Sequence, residues 1–289
     1  MFDICSIGHI TRDKIVTPGN TVYMAGGTSF YMTYGMSHLP RKVSYQLVTK
    51  VGEESKADLD KIHSLGFDTV CYPSRRTVFF ENIYGADSND RKQRVRSKAD
   101  PFTLDDVKPL QAKVFHLGSL LADDFSPEVV EALADKGTVS IDAQGYLREV
   151  VGEEVRPVEW KDMSRVLRAT GILKLNESEM QTVVGSNDPY EVGKKLAACG
   201  VGEVVMTLGS YGSVIYAGGK AYDIPAYKPK KLVDATGCGD TFSTGYLWCR
   251  VQGMGIEEAG KFAAAMCSLK LQHSGPFDGT IADIEQLIG

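Results

Sequence analysis

Two carboxylates and two glycines fall within seven residues, Asp234-Ala235-Thr236-Gly237-Cys238-Gly239-Asp240. Lys231-Leu232-Val233 before them reads as a strand, and Thr241-Phe242-Ser243-Thr244-Gly245-Tyr246-Leu247-Trp248 after them as a helix. Glycines two apart at a helix mouth let backbone N–H groups turn inward as an anion nest, reinforced by the positive end of the helix dipole. Asp240 is out of place in such a nest, because its charge repels the anion, unless it takes a proton from whatever attacks that anion. A base beside an anion hole is the minimum apparatus for moving a phosphoryl group onto an alcohol. The plain alternative is a tight turn with a helix-capping aspartate. A second acid six residues upstream and the strand–loop–helix setting favour the chemical reading.

Two familiar phosphate binders are excluded. No Gly-x4-Gly-Lys-Ser/Thr occurs, and Phe242 stands where a dinucleotide fingerprint needs glycine or alanine. Other residues at strand ends could assist. Asp13, five residues after Gly8, can hold a substrate hydroxyl or simply sit in a turn. Gly26-Gly27 opens a helical pattern, as a hinge and close-approach point or as a plain loop. Asn176 and Glu179 place an amide and a carboxylate on one helix face, suited to hydrated magnesium; a capping box explains the same letters. Thr207-Leu208-Gly209-Ser210-Tyr211-Gly212 ends another strand, where Gly209 and Gly212 permit close approach to a ligand or form a β-turn.

The elements that must position these residues alternate. Apolar runs at 2–7, 43–49, 113–117, 138–142, 171–175, 203–208 and 213–217 read as strands. Helical patterns fall at 28–38, 55–65, 127–135, 177–184, 190–199 and 256–271. This order implies an α/β fold with a mainly parallel sheet, helices on both faces and ligands beyond the strands' carboxyl ends. Segments 14–25 and 77–95 break the rhythm as extended β with turns, which suggests a lid on a single unit of residues 1–289. The basic run Arg91-Lys92-Gln93-Arg94-Val95-Arg96-Ser97-Lys98 reads as a solvated lid edge, with steering of an anionic substrate as the alternative.

A net charge of −5 gives no general argument for nucleic acid or an acidic membrane surface as partner. No apolar run reaches a membrane span, and the start of the chain lacks a signal-peptide layout. Six scattered cysteines without Cys-x-x-Cys, and five histidines without ligand spacing, fit a cytoplasmic enzyme with reduced thiols and no zinc site.

The seven-residue motif resembles the C-terminal signature of the ribokinase-like (pfkB) sugar kinases, Asp-Thr-x-Gly-Ala-Gly-Asp, with Ala235 for its threonine and Cys238 for its alanine. The resemblance implies a three-layer α/β/α kinase with a small β-lid, often used for pairing subunits into a homodimer. It implies ATP as donor and Mg2+ as cofactor. Asp240 would be the base, with Gly237, Cys238 and Gly239 as the anion hole. Asp13, Gly26, Gly27, Gln144 and Arg148 would bind the acceptor. Asn176, Glu179 (through water to magnesium), Thr207, Gly209, Gly212 and Thr236 would serve the nucleotide phosphates. The helix around Lys261-Phe262-Ala263-Ala264-Ala265 would help enclose adenine. Asp234, with carbonyls near Ser274-Gly275, would hold a monovalent cation such as K+. Thr28-Ser29-Phe30-Tyr31 replaces ribokinase's Lys-Gly-Ala-Asn and argues against ribose. Asp142-Ala143-Gln144-Gly145 with Arg148, Glu81-Asn82-Ile83-Tyr84-Gly85 and Ala99-Asp100-Pro101-Phe102 resemble the inositol-kinase-like branch most. A small sugar, polyol or myo-inositol-like cyclitol is therefore the expected acceptor. The rivals are a nucleoside or hexose kinase of the same fold, an inactive binding protein, and a nicotinamide enzyme.

Overall fold

In the computed structural model, which describes residues 1–84 and 91–289, the short apolar runs pair into strands and the stretches between them coil. In chain order the strands are β1 (Phe2–Gly8), β2 (Thr11–Thr17), β3 (Asn20–Gly26), β4 (Tyr45–Val51), β5 (Asp68–Pro73), β6 (Val78–Tyr84), β7 (Arg91–Ser97) and β8 (Ala112–Gly118). There follow β9 (Thr138–Asp142), β10 (Arg148–Val151), β11 (Glu154–Pro157), β12 (Ile172–Asn176), β13 (Glu203–Thr207), β14 (Ser213–Ala217) and β15 (Lys220–Ile224). The helices are α1 (Thr28–Ser37), α2 (Lys56–Ser64), α3 (Leu104–Val107), α4 (Pro127–Ala134) and α5 (Met163–Arg168). The rest are α6 (Glu177–Val184), α7 (Pro189–Ala198), α8 (Cys238–Arg250), α9 (Ile256–Lys270) and α10 (Ile281–Ile288). Helix ends follow local chemistry. Proline opens α4 and α7, where its missing N–H costs nothing, and Gly185 ends α6 at φ 75°.

Nine strands form the main sheet in the order β15-β14-β13-β12-β9-β8-β1-β4-β5. From β5 to β13 all neighbours are parallel, and β14 and β15 add an antiparallel edge. A parallel sheet must be covered on both faces, and the pleat divides its residues accordingly. Val139, Ile141, Leu173 and Leu175 enter one core, while Ile172 enters the other with α1, α8 and α9 residues. By the same alternation Asp142 and Lys174 point to the α8 side, and they are register partners. Close approach seats α8 there: a Cβ on Gly245 would lie 3.1 Å from the Ala263 Cα of α9. Trp248 and Tyr246 then bury almost completely.

The lid is a six-stranded sheet, β10-β11-β7-β6-β2-β3. β2, β3, β6 and β7 contribute four of its strands, and a third arm, β10–β11, lies outside the two segments read from the sequence. Residues 85–90, and with them Gly85 of the inositol-kinase-like motif, lie outside the described residues. The basic run knits the arms together. Arg96 bridges Glu81 of β6 (2.6 Å) and Glu153 (2.5 Å), and Lys98 pairs with Asp123. One expectation fails outright: Lys231-Leu232-Val233 is no strand. The Val233 and Asp234 N–H groups both donate to the Leu271 carbonyl, at 2.8 and 3.3 Å, so the segment is tied to the end of α9 and Leu232 is left exposed. Among the described residues no helix is long and apolar enough to cross a membrane.

Candidate active site

The mouth of α8 is shaped by Gly237, its N-cap, at φ 75°. A side chain there would be strained and would run into the Tyr31 ring, so only glycine fits. The Cys238 N–H is turned back onto the Ala235 carbonyl at 3.2 Å. Of the three donors expected from the sequence, Gly237 and Gly239 therefore remain for an anion, joined by the Asp240 N–H of the first helical turn. The Asp240 carboxylate accepts from the Thr28 hydroxyl at the start of α1. Burial and the nearby Asp142 charge push its pKa up to about 6, against the opposing pull of Lys174 and Thr28. The group is thus poised to take a proton near neutrality.

Directly beneath lies a buried ion pair. Lys174 Nζ is 2.6 Å from Asp142 Oδ2, and a Cβ on Gly239 would lie 3.1 Å from that Nζ. Burial works against the Lys174 charge, but Asp142, Glu179 and Asp240 together hold the ammonium firmly protonated. Asp142 is held low by Lys174 against the effect of its own burial.

Asp13 stands across from this mouth. Its carboxylate accepts from the Thr11 hydroxyl at 2.7 Å, and burial pushes its pKa up to about 6. Gly26 lets it in, since a Cβ there would lie 2.6 Å from Asp13 Oδ2. Gly27, at φ 91°, passes so close to the His9 carbonyl that no side chain fits. Tyr31 joins the two halves: burial raises its pKa, and the charges of Asp13, Asp234 and Asp240 raise it further. Gln144 and Arg148 line a cavity of about 370 Å³ with Gln93, Asn176, Ser178 and Glu179. Gly145 is packed against the Ser119 backbone, where a Cβ would lie 2.5 Å from the carbonyl carbon.

Asn176 and Thr207 are register partners at the ends of β12 and β13. Asn176 and Glu179 form a full capping box: the Asn176 N–H donates to Glu179 Oε2 (2.9 Å), and the Glu179 N–H to Asn176 Oδ1 (3.0 Å). Gly209, at φ 55°, lies in the turn after β13. Gly212, at φ 96°, is required by the adjoining strand, because a side chain would strike the Ile224 carbonyl. Asp234 behaves differently from expectation. Its carboxylate accepts from the Thr236 N–H (2.9 Å) and the Gly275 N–H (3.3 Å), and the buried Lys270 ammonium lies 3.3 Å from Oδ2. That ammonium also donates to the Asp234 carbonyl at 2.8 Å. A second cation beside it would meet strong repulsion, so a monovalent ion at Asp234 does not fit.

The model of the pfkB family of carbohydrate kinases matches residues 83–282. The chain belongs to this family. A cytidine kinase of Thermococcus kodakarensis is 27% identical over 266 residues, 89% of this chain and 92% of the relative. An inositol 3-kinase of Arabidopsis thaliana is 26% identical over 281 residues, 93% and 74% of the two chains. A pyrophosphate-dependent kinase of the ribokinase family, solved with a pyrophosphate analogue and myo-inositol, superposes with a TM-score of 0.85. It shares 27% identity over 98% of this chain and 99% of its own.

The pfkB kinases phosphorylate alcohol groups, and this chain is a phosphotransferase of that kind. Its residues fit a divalent cation as well: Asp142, Glu179 and Asp240 are three carboxylates facing one ammonium, that of Lys174, and the carboxyls of Glu179 and Asp240 are raised, by burial first and by the Asp142 charge second. Among the described residues, no cluster of three or more metal-ligating side chains stands ready. Sequence reading passed over Lys174, Tyr31 and Thr28 as site residues. A lone charge inside the apolar run 171–175 was the signal for Lys174.

Proposed function

We propose that this pfkB kinase moves the terminal phosphoryl group of ATP onto a hydroxyl of a small polyol in the cytoplasm, with a myo-inositol-like cyclitol as the favoured acceptor. One observation carries the reading: the Tyr31 ring packs against Gly237 at the glycine-lined helix mouth, and the charges of Asp13 and Asp240, far apart in the sequence, both raise its pKa beyond the effect of burial. Asp240 in its ionised form takes the proton of the incoming hydroxyl. Asp13 holds a second hydroxyl and, with Gln144 and Arg148, orients the ring. The N–H groups of Gly237 and Gly239 meet the charge that spreads over the transferred oxygens, each worth about 3 kcal/mol in systems of this kind. Lys174 adds positive charge from below. Magnesium, held through water by Asn176 and Glu179, would neutralise the β and γ oxygens of the donor, with Thr207, Gly209, Gly212 and Thr236 beside them.

The lid supports a cyclitol. Asp13 is the register partner of Phe80, and Asn82 follows two residues on, so all three share a sheet face. Gln93 pairs with Asn82 across β6 and β7 and donates to it at 2.9 Å. In one structural neighbour, 27% identical, changing an asparagine and a serine eleven residues apart to leucine converts a pyrophosphate-dependent myo-inositol 1-kinase into a 3-kinase. Asn82 and Gln93 have the same spacing, and we assign them the choice of hydroxyl. Asn82→Leu with Gln93→Leu should retain turnover but change the position of the phosphate, read by NMR of the product. An unchanged product would remove that role.

A second donor, inorganic pyrophosphate, is favoured by the neighbours that use it over the full length of their fold. A coupled assay with ATP and with pyrophosphate, over myo-inositol, other cyclitols, ketoses, ribose and nucleosides, tests the whole reading. Turnover with a cyclitol is expected. Phosphorylation of nucleosides alone would replace the acceptor, and no turnover with any alcohol would sink the proposal.

A further inference from the structure

We propose that the Lys270 ammonium is a built-in substitute for a monovalent cation, fixing the loop that forms the phosphoryl-binding mouth. Lys270 is the last residue of α9, where a lysine ordinarily reaches for water; here it is fully buried. Its Nζ meets one neutral and one charged oxygen of a single residue, the carbonyl (2.8 Å) and Oδ2 (3.3 Å) of Asp234. A carbonyl beside a carboxylate is the oxygen set a hard cation takes. The same residue is tied from every other side. Its Oδ1 accepts the Thr236 N–H and its Oδ2 the Gly275 N–H, while its own N–H and that of Val233 donate to the Leu271 carbonyl. Three residues further on, Gly237 must hold its left-handed conformation for the mouth to form. The ammonium therefore clamps the strap 233–236 to the end of α9 and sets the entry of the chain into α8. Because the charge is covalently attached, the protein needs no K+, Na+ or NH4+ at this position. Removing it leaves an oxygen-lined gap of matching charge that a small monovalent cation can fill.

The inference uses the assignment of the α8 mouth as the transfer site, but its first readout does not. Melting of the wild-type chain is compared in KCl, NaCl and tetramethylammonium chloride at equal ionic strength. The same midpoint is expected in all three, and specific stabilisation by K+ or Na+ would overturn the proposal. Lys270→Ala should melt lower and recover part of the loss in KCl but not in tetramethylammonium chloride, whose ion is too large for the gap. In the coupled assay that variant should lose roughly a hundredfold in kcat, with the donor KM little changed and kcat partly restored by KCl. A Lys270→Ala protein indifferent to the cation would contradict the clamp. Should it fail to fold, the wild-type comparison decides alone. Should no acceptor be turned over, the melting pattern still reports on the clamp while the functional assignment fails separately.

Discussion

Gly237 and Cys238 are neighbours at the mouth of α8 and make opposite demands on substitution. Gly237→Ala places a Cβ at φ 75° against the Tyr31 ring. It should cost roughly 1–3 kcal/mol of stability and about a hundredfold in kcat, since the donors around it lose their aim. Cys238 contributes less than its position suggests. Its N–H is spent on Ala235, and burial pushes its thiol up to about 11, so it is neutral and unreactive at ordinary pH. Cys238→Ala should therefore keep near-normal kcat and KM. Near-normal kinetics for Gly237→Ala, or a large loss for Cys238→Ala, would show that the mouth is built otherwise. Sequence alone made both residues equal donors, because which N–H turns inward depends on backbone angles that residue types only loosely restrict.

At the scale of elements, β9 and β12 present Asp142 and Lys174 to α8, and this sets the pH response. In the proposed role Asp240 acts as a base only when ionised, and burial first and the Asp142 charge second push its carboxyl up to about 6. The value of kcat/KM should therefore fall as pH drops through about 6, with Asp13, also at about 6, contributing to the same limb. Lys174 lowers the Asp240 pKa, so Lys174→Met should move the limb to higher pH. A limb that stays in place would break the electrostatic link. The stability effect has the opposite sign to that of a salt-bridged acid. A carboxyl raised in the fold weakens it at neutral pH, and this cost disappears as pH falls from about 6 towards the unfolded value. The strands 138–142 and 213–217 and the helix 177–184 were legible because apolar runs and caps mark their ends sharply. The β10–β11 arm was not, since short strands carrying Arg148, Glu149, Glu154 and Arg156 show no apolar alternation. Lys270 was hidden for another reason: a basic residue at a helix end looks like ordinary dipole compensation.

Across the whole molecule, main sheet and lid meet over the site, and the lid ends in an open edge. β3 is its outer strand, with Val22 and Tyr23 exposed. We propose that two copies pair through this edge. Light scattering should then give a dimer for the wild type and a monomer for Tyr23→Lys; a monomeric wild type would exclude it. In the proposed mechanism the fold brings an alcohol in front of one base, Asp240. The most direct test of that arrangement is the turnover of Asp240→Asn, measured alongside calorimetric binding of the phosphoryl donor. The account predicts a loss of at least about a thousandfold in kcat, with the donor still bound and the melting temperature unchanged or raised. Turnover close to that of the wild type would contradict it.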